Sequence, residues 1–123
     1  MQVTMRHLVE GWTSLQKLAQ VEAGNGLTIK QAWVIGKVAR AAEVEVKQLE
    51  ELRAKLFQSY GETVGEEQQI KPEHVESFTA QMEEMLEQVL HLPGDAIRIS
   101  ELAADLPLSA AHLARLDWLI TEG

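Results

Sequence analysis

Four histidines, His7, His74, His91 and His112, are the side chains of this chain best suited to ligate a metal or move a proton near neutral pH. Glu87 and His91 stand four residues apart and His7 and Glu10 three apart. Helix-borne metal sites use such spacings, but three or four ligands must converge. No second pair completes either one, so no metal and no cofactor is expected. Glu73, Glu76, Glu83, Glu84 and Glu87 supply carboxylates, yet acid–base work needs a cleft that shifts their pKa. The pattern sets them opposite Phe78 and Met85, in water. Ser59, Ser77, Ser100 and Ser109 have no histidine at a recognisable spacing, and no Gly-x-Ser-x-Gly elbow exists. Cysteine is absent, which removes thiol catalysis, disulfides and thiolate metal sites. No catalytic residue is assigned, and the chain reads as a non-enzyme. Trp12, Trp33 and Trp118 have the rings to stack a ligand. In a helical domain such residues serve more often as core plugs or interface anchors.

The elements that must position these residues are dominated by one long helix over residues 28–60. The run lacks proline, has Gly36 as its one internal glycine, and stops at Tyr60-Gly61. Thr28 is its expected N-cap and Gly61 its left-handed C-cap. Ile35, Val38, Ala39, Ala42, Val46, Leu49, Leu52, Leu56 and Tyr60 form an apolar stripe along it. At 1.5 Å per residue the helix is roughly 50 Å long and cannot bury that stripe alone.

A first helix is expected over 3–21. Met5, Leu8, Val9, Trp12, Leu15, Leu18 and Ala19 share one face, with Arg6, Glu10, Ser14 and Lys17 on the other. Gly11 weakens its middle and would permit a close approach by a neighbour. Gly24-Asn25-Gly26 turns the chain, so the two helices form an antiparallel hairpin. Residues 61–71 read as an acidic connector. Pro72 opens a third helix with Val75, Phe78, Met82, Met85, Leu86 and Val89 on its apolar face, ending before Pro93-Gly94. Ile97 and Ile99 alternate with Arg98 as a short strand, for which Val64 and Ile70 are the expected partners. Ser109 caps a last helix carrying Leu113, Leu116, Leu119 and Ile120. The fold class is mainly α: a single domain over 1–123, built on the long helix, with a minor β-ribbon from 63–70 and 96–100.

Charge narrows the partners. The net charge is −8, but residues 1–60 hold eight basic and six acidic side chains, whereas 61–91 hold eight glutamates against Lys71. Duplex nucleic acid is disfavoured, because phosphate contact needs clustered Lys and Arg. A partner with a basic surface suits the acidic segment. No apolar run spans a bilayer, the N-terminus is amphipathic instead of signal-like, and the lack of cysteine fits the cytoplasm of a bacterial host.

The order of these features resembles a group of small uncharacterised proteins of tailed bacteriophages and prophages. The matching features are the Leu8-to-Leu15 spacing, the long charged helix ending in Tyr60-Gly61, and the acidic segment. Phe78 with Glu83-Glu84 and the ending Leu108-Ser109 through Leu113, Leu116, Leu119 and Ile120 complete them. The tryptophan content and the Gly24-Asn25-Gly26 loop depart from that pattern. The resemblance implies a phage origin, without enzyme activity and without transferable site residues; association with the virion is compatible with it. The expected function is a protein–protein interaction module that self-associates as a dimer, with Trp33, Leu49, Leu52, Leu56 and Trp118 as interface residues. The competing class is a phage inhibitor of a host defence system. It would mimic nucleic-acid charge with its acidic segment or sequester a small signalling molecule.

Overall fold

Thr28 starts the longest element by a reciprocal cap. Its hydroxyl accepts from the Gln31 backbone N–H, and the Gln31 side chain accepts from the Thr28 N–H. Two of the N–H groups orphaned at a helix start are thereby satisfied. In the computed structural model, which describes residues 1–122, this helix (α2) runs Ile29–Tyr60. Helix α1 spans Met5–Ala19, α3 Val75–Leu86 and α4 Ala110–Ala114. With short 3-10 turns at Pro72–His74 and Ile99–Glu101, 57% of the chain is helical, which makes the fold mainly α.

Leu8, Leu15 and Leu18 of α1 meet Ile35, Val38 and Ala42 of α2 in the core, closed by Leu116 and Leu119 from the C-terminal segment. Gly11 is where that segment comes closest. A Cβ on Gly11 would lie 2.6 Å from the Arg115 carbonyl oxygen and 3.1 Å from Trp118 Nε1. The helix accepts the propensity cost of glycine to gain this contact. Ser14, assigned by periodicity to the polar face of α1, is fully buried on the side of Gly11 and Leu18.

Six short strands pair two by two: β1 (Gln2–Thr4), β2 (Gly61–Val64), β3 (Glu67–Ile70), β4 (Val89–His91), β5 (Ile97–Arg98) and β6 (Ile120–Thr121). The expected ribbon between 63–70 and 96–100 is not formed. β2 and β3 pair with each other as an antiparallel hairpin around Gly65, whose φ of 66° lies in the left-handed region. β5 lies parallel to β6, placing Ile97 beside Ile120. The first helix starts at Met5 and not at Val3, because Val3 is a strand residue opposite Leu90 in the antiparallel β1–β4 pair. Val89 belongs to that pair and not to the third helix. Both segments carry a helix-compatible apolar residue at the end of a helical run, and the backbone pairing of β1 with β4, which buries Val3 and leaves Val89 exposed, decides against extending the helix.

The last helix is also shorter than its leucine spacing suggests. After Ala114 the chain proceeds by tight turns, Leu116 N–H to the Leu113 carbonyl and Leu119 N–H to the Leu116 carbonyl. These turns keep a three-residue leucine spacing without an α-helix. Gly61 is not a left-handed cap either. Its φ of −91° and ψ of 163° are extended, and glycine is required because a Cβ would fall 2.3 Å from the Phe57 carbonyl oxygen.

Candidate interaction surface

Helix α2 carries two faces of different character. Ile35, Val38, Ala42, Val46 and Leu49, three or four residues apart, are buried. On the opposite side Ile29, Trp33, Lys37, Arg40 and Val44 recur at the same spacings. Ile29 is 80% exposed, Trp33 65% and Val44 55%, so among the described residues this side packs against no other segment. A single exposed apolar residue is ordinary, but these three share one helix face, Ile29 and Trp33 one turn apart and Val44 beyond Lys37 and Arg40. Lys37 Nζ sits 4.3 Å from the centre of the Trp33 ring, a cation–π pair that holds the indole along the helix surface.

The electrostatics of this face are one-sided in its first half. From Ile29 to Ala42 there are three cations, Lys30, Lys37 and Arg40, and no acid. Among the described residues the ion pairs are Arg6–Glu83 and Lys47–Glu43, so those three cations have no carboxylate of their own. Glu43 lies one helical turn before Lys47; its hydrogen bond and negative charge raise the Lys47 pKa above its ordinary value. Acids accumulate elsewhere. Glu73, Glu76, Glu84 and Glu87 are exposed on and beside α3, on the side away from Phe78, Met82 and Met85.

The structure separates the five residues expected at an interface. Trp33 points outward, whereas Leu49 is only 8% exposed and already covered. Leu56 is half-buried and Leu52 stands 45% exposed on the flank. Trp118 packs against α1 at Gly11, with its Nε1 buried and without a hydrogen-bond partner. The C-terminal half of the stripe could be covered by the third and last helices or by a second chain, and α3 supplies part of that cover. Phe78 meets Phe57 edge-on at 5.3 Å, and the Gln81 side-chain amide donates to the Tyr60 hydroxyl at 2.8 Å. The uncovered apolar surface of α2 is therefore mostly on the other face. Its signal in the sequence was Ile29, Trp33 and Val44 interleaved with Lys37 and Arg40, out of phase with the leucine stripe.

The residues considered for chemistry are dispersed. Glu87 ends α3 while His91 lies in β4, so their helical spacing is not realised. His74 stacks near Tyr60 at 5.1 Å and His7 is exposed on α1. His112 makes the one contact between a serine hydroxyl and a histidine ring among the described residues, Nδ1 to Ser14 Oγ at 2.8 Å. The two are 98 residues apart, beyond any spacing rule. The Ser14 hydroxyl is fully buried, so the pair ties α1 to α4 instead of exposing a nucleophile. Among the described residues no three His, Asp or Glu side chains converge as a metal site would require. No described helix is long and apolar enough to cross a membrane. A groove of about 720 Å³ opens between the last turns of α2 and the β2–β3 hairpin, lined by Glu50, Arg53, Phe57, Thr63 and Gln68.

Comparison of the chain with family models, curated proteins and solved structures finds no match.

Proposed function

We propose that this chain is a non-enzymatic protein–protein interaction module of phage origin that associates with itself. Its scaffold, in this reading, is the long helix with the first helix folded back along it as an antiparallel hairpin. The observation that carries the proposal is the outward stripe of α2, where Ile29, Trp33 and Val44 stand in solvent beside unpaired cations. Tryptophan and arginine are enriched among interface anchors, and Trp33 shares its face with Arg40. The phage origin rests on the resemblance in the order of elements, from Leu8 to Ile120.

Light scattering at micromolar concentration tests the reading. The expected result is a mass above that of the 13.7 kDa chain, rising with concentration. A single species at the chain mass throughout that range rejects self-association.

A second reading, inhibition of a host defence protein by nucleic-acid mimicry, is favoured by the exposed Glu73, Glu76, Glu84 and Glu87 on and beside α3. A regular row of carboxylates can occupy a groove built for phosphates. Competition by this chain for a purified host nucleic-acid-binding protein, lost on replacing those glutamates with glutamine, is the result it requires.

A further inference from the structure

We propose that the outward stripe of α2 docks against the acidic flank of α3 on a second copy of this chain. The inference rests on the self-association reading above and names the two surfaces that carry it. One row is Trp33, Lys37, Arg40 and Val44. The other is Glu76, Ala80 and Glu84, set along one flank of α3 by their four-residue spacing, with Glu73 in the 3-10 turn before the helix and Glu87 just after it. Glu83, seven residues after Glu76, borders the same row but is already held by Arg6. The small Ala80 in the middle of the acidic row leaves a shallow seat for a large ring.

The two rows cannot neutralise each other within one molecule. Helix α3 reaches α2 through Phe78, which meets Phe57, and its Met82 and Met85 pack on the core. The stripe lies across the helix from that core, so its cations and the glutamates of α3 face different directions. The imbalance is large. Residues 29–42 hold three cations and no acid, whereas 61–91 hold eight glutamates and one lysine. A chain of net charge −8 resists assembly through any like-charged face. Setting the basic stripe against the acidic row is the arrangement that turns that repulsion into attraction and covers Trp33 as well.

The size of the contact bounds its strength. From Ile29 to Val44 the stripe is about 23 Å long at 1.5 Å per residue. One helix face of that length falls below the roughly 800 Å² per partner of a standard stable interface. The contact therefore belongs to the weak, micromolar class. A basic row meeting an acidic row is a heterologous contact, so the rotation between copies decides whether assembly closes, at a dimer or a larger ring, or continues.

Sedimentation velocity on the full chain tests this in about 0.1 M and about 1 M salt, between which the screening length falls from about 10 Å to about 3 Å. The wild type should associate at low salt and weaken about tenfold at high salt, as expected for a few exposed ion pairs. Lys37→Glu/Arg40→Glu and Glu76→Lys/Glu84→Lys should each be monomeric alone. An equimolar mixture of the two should recover association, because the reversed stripe of one then faces the reversed flank of the other. All four positions are solvent-facing, and the salt response of the wild type is read without any substitution. An assembly indifferent to salt and to both variants overturns the pairing while leaving self-association standing. Failure of the mixture to recover also overturns the pairing. A wild type that is monomeric in every condition overturns the pairing and the self-association reading together.

Discussion

The two faces of α2 share a backbone and a periodicity but have opposite fates. Ile35, Val38, Ala42, Val46 and Leu49 are sealed by α1, α3 and the C-terminal turns, while Ile29, Trp33 and Val44 remain in water. Spacing alone does not distinguish them, since both rows recur every three or four residues. Neighbouring residue types do. The inward row is interleaved with small and aliphatic side chains, the outward row with Lys37 and Arg40. The comparison shows that an apolar helix row marks a buried surface only where nothing charged lies within it.

The largest break of this comparison is a proline on the inward face. Ala42→Pro removes a mid-helix hydrogen bond and drives a ring against the preceding turn, at a cost of about 3 kcal/mol or more. Ala42 is fully buried, so the substitution also disturbs packing against α1. Circular dichroism should show an unfolded or severely destabilised protein; a native-like melt would contradict the placement of Ala42 in the core.

A matched pair of glycines sharpens the same contrast. Gly11→Ala gains helix propensity of about 1 kcal/mol but forces a Cβ against the Arg115 carbonyl, and overpacking of this kind costs about 1–3 kcal/mol. The expected net is a lower melting temperature. Gly36 meets nothing within 4 Å, and its φ is not positive. Gly36→Ala should therefore raise stability by about 0.5–1 kcal/mol. Chemical denaturation of both variants decides, and shifts of the same sign would show that the Gly11 contact is not close.

Next in size is the cap. Thr28→Ala removes the acceptor for the Gln31 N–H at 3.1 Å and should cost about 1 kcal/mol, read as a lower denaturation midpoint with an unchanged slope. The smallest expected effect on folding is on the outward face. Trp33→Ala should alter stability by less than about 0.5 kcal/mol, because the indole covers no core residue. The same variant should reduce self-association. A large loss of stability with intact association would reverse the roles assigned to the two faces.

Much of the helical frame was legible without coordinates. The run from Thr28 to Tyr60 has a cap signal, no internal proline and a continuous apolar row, and local hydrogen bonding is enough to build such an element. Ser109 was equally readable as a cap, since its hydroxyl accepts from the His112 N–H. The candidate surface was legible only in part. The sequence marks Trp33 as an interface residue, but Leu49 and Leu56, marked with it, lie on the other side of α2 in the structure.

What the sequence by itself determined is local: where the helices capped by Thr28 and Ser109 begin, and that acids gather after residue 60 while α2 starts basic. Tertiary structure alone decided everything that depends on remote partners. Val3 became a strand residue because Leu90 lies opposite it, Ile120 because Ile97 does, and Ser14 became buried because His112 reaches it from 98 residues away. Each of these residues tolerates more than one local conformation, so the choice falls to the burial and hydrogen bonds that a distant segment supplies. The outward face of α2 was decided in the same way, by the absence of any described segment packed across it.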